Sequence, residues 1–411
     1  MTEESAPGDV VPGPVVPAAE EPNSWESRRV RAAGHLIPWI EQTVSLTGKT
    51  VLEYGCGNAP VSCAFAARAG RLIGVDVDPE VIEYGRCALR ARGIANVELE
   101  LHSLDGIVDA VAARRGQIDV FLCYAVLEHL TLEERLSVLR LAREVVKPDG
   151  VIVVCETPNR LTAFDHHTAQ MPFFHLLPDE LALQYFRRSG REDFLAAIDG
   201  AVARGHEAAL QAIVRWGRGV SFHEFELVFG DLSSHVLASS YDPLLFAERP
   251  IHAEELVLAR ELERWRPDLA PAWSRRWLDL ILSPVPVARR PSFLRPWTVE
   301  TVQSPGASVT RWGTVRLPGP ETPLWVSLSH PTQRIVVGAT GAGGPLALRA
   351  RAEGMAAPLL ARAHGRGDEP ARDDDAGRQP RYVTFDLPEP SRRIELGASA
   401  ACELVFIGYE D

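Results

Sequence analysis

Four groups of polar residues in this 411-residue chain have types and spacing suited to chemistry. The first is a glycine loop after an apolar run, Val51-Leu52-Glu53-Tyr54-Gly55-Cys56-Gly57-Asn58-Ala59-Pro60, with Asp76 ending the next apolar run. Glycines let a backbone approach a ligand closely. An acid at the end of the following strand can accept hydrogen bonds from both hydroxyls of a ribose. The second group is Glu128-His129, and the third is Asp165-His166-His167, set inside an otherwise apolar and aromatic stretch. Histidine exchanges protons near neutral pH, so His129, His166 or His167 can take the proton of a substrate hydroxyl. An acid beside a histidine can also orient its ring and raise its basicity. The fourth group is His223-Glu224, where Leu227 stands in the place of the second histidine of a zinc-protease His-Glu-x-x-His helix and excludes that site.

The loop discriminates between nucleotides. A dinucleotide fingerprint starting at Gly55 needs a glycine at position 60, where this chain has Pro60. An acid at position 53 is poorly placed beside a pyrophosphate and well placed near a cationic ligand. S-adenosylmethionine has no pyrophosphate and carries an ammonium and a sulfonium, so the charges favour it over NAD.

Glu53-x-Gly55-x-Gly57 with Asp76, Asp119–Leu130 (DVFLCYAVLEHL) and Lys147–Val154 (KPDGVIVV) together resemble class I S-adenosylmethionine-dependent methyltransferases, over about residues 48–160. The resemblance implies a Rossmann-like core and this cofactor. It implies that Glu53, Gly55 and Gly57 lie along the methionine and ribose part, that Asp76 binds the ribose diol, and that Val77 lies against the adenine. Cys123 and Tyr124 would line the methyl-transfer side. Two positions depart from the family: Ala59 stands where a third glycine is frequent, and Ser103 where an acid often meets the adenine. Glu128-His129 is frequent in the branch that includes quinone O-methyltransferases. One reading makes this pair a cap for the next helix; the other turns it towards substrate or a divalent metal. No residue is assigned to a metal from the sequence.

The elements that must position these groups follow from hydrophobic pattern. Strands are expected at 50–54, 71–76, 97–101, 118–123 and 150–155, with helices near 59–69, 79–92 and 132–146 between them. A further helix is expected from Trp25 to Val44. Alternation of this kind gives a parallel sheet covered on both faces, with ligands at the carboxyl ends of the strands. Residues 161–290 read mainly as a helical lid rich in aromatic residues (Phe164, Phe173, Phe174, Tyr185, Phe186, Trp216), with a late strand near 234–240. His175 sits among Phe173, Phe174 and Leu176 and is expected to pack there, whereas His223 and Glu226 could face the pocket. After 290 the texture changes to short β-like runs split by Gly and Pro, which suggests an all-β, sandwich-like domain over 291–411.

Residues 1–24 are rich in Pro, Ala, Gly and acids and read as a disordered tail; the charged stretch 365–380 reads as a mobile loop. A net charge of −12 argues against a nucleic-acid partner, which needs a basic footprint. The six cysteines show no Cys-x-x-Cys pair, which fits reduced core thiols. No signal peptide and no run long enough to span a bilayer are seen, so a cytoplasmic protein without a membrane partner is expected. The expected activity is methyl transfer to O or N of a small or medium organic acceptor, natural-product or sugar-like. The alternatives are a peptide or protein acceptor docked by the β-domain, or an inactive binding module.

Overall fold

A computed structural model describes residues 24–246, 248–288, 293–297, 306–309, 314–320, 322–341, 346–362 and 380–410. The expected tail, apart from Ser24, and the expected charged loop, apart from Pro380, lie outside the described residues. The Ser24 hydroxyl accepts from the Ser27 amide and caps α1 (Trp25–Arg31), which runs through a π-turn at Ala32–Leu36 into α2 (Ile37–Glu41).

The core then alternates as the pattern requires: β1 (Thr50–Tyr54), α3 (Pro60–Phe65), β2 (Arg71–Asp76), α4 (Pro79–Ala91), β3 (Val97–Leu101), α5 (Ile107–Ala112), β4 (Ile118–Tyr124), α6 (Leu132–Val145) and β5 (Val146–Pro158). Asp78 caps α4 and Pro79 opens it, as the sequence predicts. Thr131 and Glu134 form a reciprocal capping box on α6, so Glu128-His129 is not its cap. The five strands pair in parallel in the order β3-β2-β1-β4-β5, with Val51 beside Leu72 on one side and Val120 on the other. The order reverses between β1 and β4, which opens a crevice at their carboxyl ends. One face of the sheet buries Leu52, Phe121, Ile152, Phe225 and Trp273; the other buries Trp39, Ile40, Val51, Phe65 and Leu122. Each such side chain contributes about 1.5–3 kcal/mol.

The lid contains α7 (Asp179–Tyr185), α8 (Glu192–Val202), α9 (His206–Arg215) and α10 (Phe222–Phe229). Its rings build a small core of their own: Phe194 packs edge-on to Phe174, Phe186 and Trp216 at centroid distances of 5.8, 6.3 and 5.3 Å. The chain then returns to the sheet through β6 (Val236–Ser239), α11 (Pro243–Phe246), α12 (Ala253–Trp265) and β7 (Trp277–Leu282). β6 falls in the expected late run. β7 falls in a region expected to be helical; it inserts antiparallel between β5 and β6, with Leu282 beside Ile152 and Val236. β7 is a short run, apolar but for Asp279, and such a run has much the same pattern in a buried strand and a buried helix, which is why the sequence did not separate them.

The C-terminal domain is one antiparallel sheet built from β8 (Leu294–Pro296), β9 (Ser308–Val309), β10 (Val315–Leu317), β11 (Leu324–Gly341), β12 (Ala347–Ala352), β13 (Leu359–Arg362), β14 (Arg381–Ala398) and β15 (Cys402–Glu410). The β11–β14 register breaks between Ser327 and Thr332, so two long strands serve both ends of the sheet. The domain is joined to the core through an apolar cluster of Tyr241, Phe246, Ile251 and Leu256 with Leu294, Val336 and Phe406. Phe246 lies 5.3 Å from the Phe406 ring and 4.8 Å from Tyr382, whose hydroxyl accepts from the Ile251 amide at 2.7 Å. Deleting residues 291–411 is therefore expected to expose this cluster and to yield insoluble protein. A monodisperse truncated core in size-exclusion chromatography would show the domain to be dispensable for folding.

Among the described residues no helix is long and apolar enough to cross a membrane, and all six cysteines are free.

Candidate active site

The glycine loop leaves β1 in a strained path. Gly55, Gly57 and Ala59 have φ of +72°, +52° and +61°, so every second residue is left-handed. Ala59 adopts the conformation that a glycine would take without strain, at a cost of about 1 kcal/mol. A Cβ at Gly57 would meet open space, whereas one at Gly55 would lie 2.7 Å from Val126 Cγ2. Val126 thus closes over the end of β1 and requires glycine beneath it.

Asp76 organises the loop. Its Oδ2 accepts from the Gly57 amide at 2.7 Å, and its Oδ1 accepts from the Val77 and Asp78 amides at 2.7 and 3.0 Å. Oδ1 thus has both lone pairs engaged, whereas Oδ2 keeps one for a further donor. Val77 follows it directly, Leu101 at the end of β3 is its partner across the sheet, and both are exposed apolar side chains, as is Leu104 on the loop after β3. Ser103 is exposed, and its Oγ accepts from the Gly106 amide at 3.1 Å, which leaves its hydroxyl hydrogen free to donate.

Glu53 corrects the sequence reading. Expected to lie along a cationic ligand, it is 2% exposed and accepts from the Ser62 hydroxyl on α3. Burial, reinforced by the charge of Asp76, pushes its carboxyl up to about 8. It braces the loop from beneath. Cys123 and Tyr124 are likewise enclosed, and burial raises both well above their ordinary ranges. What reaches the crevice at the end of β4 is the backbone, which turns sharply at Ala125 (φ +52°).

Glu128, His129 and His167 converge. One ligand-type atom from each lies within 4.8 Å of the others, and the two rings stand 5.2 Å apart. The His129 Nδ1 faces the Arg215 carbonyl at 2.8 Å, and the His167 Nδ1 faces the Gly217 carbonyl at 3.0 Å. A carbonyl oxygen only accepts, so each Nδ1 carries the hydrogen and each Nε2 presents a lone pair. Gly217 (φ +84°) permits this approach: a Cβ there would lie 3.0 Å from Glu128 Cγ and 3.1 Å from His167 Cε1. Glu128 is fully buried, and neither of its carboxyl oxygens has a hydrogen-bond partner. The Thr157 hydroxyl lies beside it, 3.5 Å from the Cys155 carbonyl, and favours the ionised form of Glu128. Burial raises the Glu128 carboxyl to about 8. Burial also lowers His129, and burial together with His129 lowers His167 to about 4, so both imidazoles are neutral at pH 7.

The profile of the family described as "Methyltransferase domain" matches residues 51–150. The core is a class I S-adenosylmethionine-dependent methyltransferase domain. Similar curated proteins include the ubiquinone biosynthesis O-methyltransferase of Stutzerimonas stutzeri, 32% identical over 28% of this chain and 47% of that protein. Its counterpart from Pseudomonas paraeruginosa is 32% identical over 30% of this chain and 50% of that protein. The chain thus spans about half the length of these relatives. Among solved structures, PKMT2 of Rickettsia typhi in complex with AdoHcy is similar over 66% of this chain and 58% of that one, at 18% identity and a TM-score of 0.38. The PH0226 protein of Pyrococcus horikoshii is similar over 33% of this chain and 60% of that one, at 22% identity and a TM-score of 0.29.

The remaining candidates lie outside the convergence at the edge of the methyltransferase domain. His166 turns to α12, where its Nε2 faces Glu254 at 2.7 Å and Arg276 at 3.4 Å. Asp165 orients no imidazole; its oxygens accept from the backbone amides of His167, Thr168 and Ala169 at 3.1, 2.8 and 2.8 Å. It shapes the turn that delivers His167. His175 is a packed lid residue, as expected, bonded to the Thr162 carbonyl at 2.8 Å. His223 stacks on Phe222 and Glu226 pairs with Arg266, so neither joins the cluster.

Sequence reasoning missed two supports of the methyltransferase domain's rim. Arg135 is buried and donates to the carbonyls of Glu128, Leu130 and Gly219 and to Glu224, which ties the turn after β4 to the lid. Glu156, left-handed at φ +53° just within the end of β5, pairs with Arg249 at 2.6 Å, and Arg249 also holds Asp279 at 2.6 Å. An arginine on an amphipathic helix reads as a solvated residue, and no local spacing marks either contact.

Proposed function

We propose that this chain transfers the methyl group of S-adenosylmethionine to an oxygen or nitrogen of a small or medium organic acceptor. The observation that carries the reading is Asp76, fixed by the Gly57 amide at the mouth of the β1–β4 crevice with acceptor capacity to spare. It suits a ribose diol. The open space above Gly57 admits a ligand against the backbone, and the exposed Val77, Leu101 and Leu104 suit a purine face. The loop lacks the glycine that a pyrophosphate-binding turn uses at position 60, which favours a nucleoside without phosphate. When bound, the cofactor supplies a methyl group on a sulfonium whose departure leaves a neutral thioether.

The protein must align the acceptor in line with that carbon, exclude water and take up a proton. The lid lies over this edge of the sheet, with the carbonyls of Arg215 and Gly217 holding His129 and His167. Each neutral imidazole offers its Nε2 to a proton leaving an acceptor hydroxyl. His166, paired with Glu254, is placed to shape the acceptor pocket rather than to take that proton. The matching curated relatives are named as O-methyltransferases, which supports an oxygen acceptor here.

Isothermal titration with S-adenosylmethionine is expected to give saturable binding, and incubation with a panel of hydroxylated acceptors should release S-adenosylhomocysteine. Absence of binding at millimolar cofactor would end the methyltransferase reading. Binding without turnover on any acceptor or in cell extract would leave a cofactor-binding module.

A further inference from the structure

We propose that the cleft between the methyltransferase core and the β-domain is a binding site for a neutral saccharide of one or two rings. The cleft holds a cavity of about 400 Å³, within the size range of small-molecule sites, which favour domain interfaces. One wall is a face of the β-domain sheet. Arg334 of β11 stands opposite Asp386 of β14, and Val336 stands opposite both Thr384 of β14 and Gly408 of β15. Side chains two apart on a strand share a face, so Arg334, Thr384, Asp386 and Glu410 all lie on this one. The other wall belongs to the core. It is the outer edge of β6, the last strand of its sheet, together with Asp242 just before α11. The inference does not rest on the methyl-transfer reading, since β5 and β7 stand between β6 and the β4 end of the crevice.

The polar groups on both walls are held by the protein and keep capacity for a ligand. The Arg334 Nε donates to Asp386 at 2.9 Å, and Nη1 stands 3.6 Å from Glu410. Its Nη2 has no such partner and keeps its hydrogens to donate. On the core side the Asp242 Oδ1 accepts from the Leu244 amide at 2.9 Å, while Oδ2 is left to accept from a ligand. Burial raises the Asp242 carboxyl, and the Leu244 amide and the charge of Arg334 oppose that rise. Thr384, and Gln42 and Thr43 at the exposed mouth, both donate and accept. This mixture decides the ligand. A hydroxyl donates to a carboxylate and accepts from a guanidinium, so a polyol satisfies both walls. An anion would face Asp242 and Glu410, and a cation would face Arg334, and a neutral molecule avoids both repulsions. Phe293, Leu237 and Leu244, half-buried around the cavity, offer apolar surface to the C–H faces of a sugar ring.

The test uses the full chain without S-adenosylmethionine. Saturation-transfer NMR is run against glucose, galactose, mannose, rhamnose, maltose and sucrose. At least one is expected to bind, with a Kd of about 1–10 mM for so small a polar ligand. Asp242→Asn, which keeps an oxygen for the Leu244 amide, and Arg334→Gln should each weaken that binding by about tenfold. Glu98→Gln, on the opposite edge strand β3, should leave it unchanged. Thermal melting followed by circular dichroism checks that each variant is folded, and the nearly isosteric Asp242→Asn decides the matter if Arg334→Gln is not. No binding of any sugar at about 20 mM, well above that range, would overturn the site. So would binding that the folded variants retain. Tighter binding of glucosamine or glucose 6-phosphate than of glucose, lost in the same variants, would overturn the neutral class.

Discussion

Asp76→Ala is expected to weaken S-adenosylmethionine binding by about 100-fold, measured by isothermal titration. A hydrogen bond from a ribose hydroxyl to a carboxylate is worth up to about 3 kcal/mol, which is about a hundredfold in affinity. The loop adds to the loss. The Asp76 carboxylate accepts from the amides of Gly57, Val77 and Asp78, so its removal frees the turn that must meet the ligand. Asp76→Asn keeps one oxygen acceptor and should fall between wild type and Asp76→Ala. Stability should change little in comparison, because the three released amides are at the rim and can bond water. If Asp76→Ala binds the cofactor within threefold of wild type, the ribose assignment is wrong.

The largest stability effect is expected at the joint between the two domains. Glu255 and Arg275 are 2% and 3% exposed and form an ion pair at 2.7 Å. Glu255 Oε2 also accepts from the His252 amide at 2.8 Å and Oε1 from the Arg276 amide at 2.7 Å, which ties the start of α12 to the approach to β7. Arg275 donates to the Arg249 carbonyl at 2.6 Å and lies 5.5 Å from the Tyr241 ring and 5.7 Å from the Phe246 ring. Those rings belong to the cluster that carries the β-domain. Removing one member strands the other charge in a dry setting, so Glu255→Ala should cost about 3–5 kcal/mol in urea unfolding. The double variant Glu255→Ala with Arg275→Met should recover part of that loss, since no buried charge remains. A loss below about 1 kcal/mol for Glu255→Ala would show that water reaches the pair.

The sheet core was open to sequence reasoning because its signals are local. β1 to β5 are apolar runs, and the helices between them carry their own caps, as Asp78 with Pro79 shows. The site was only half open. Asp76 could be placed because it ends a strand next to the glycine loop. Glu53 ends the neighbouring strand too, yet its surroundings are set by Ser62 on the packed helix α3, and the structure encloses it. Asp165 looked like a partner for the histidines beside it, but backbone amides were nearer competitors for its oxygens.

The sequence by itself determined the parallel core, the loop chemistry that favours a nucleoside over a dinucleotide, and the edge of the sheet where Asp76 meets the glycine loop. Only the tertiary structure decided which histidines come together. His129 and His167 come from separate segments, and each is aimed by a carbonyl of the same lid turn, Arg215 or Gly217. It likewise decided that a strand, β7, runs between β5 and β6. Hydrogen bonds and packing between residues far apart in the chain leave no periodic trace along it. They come into being only when the chain has folded.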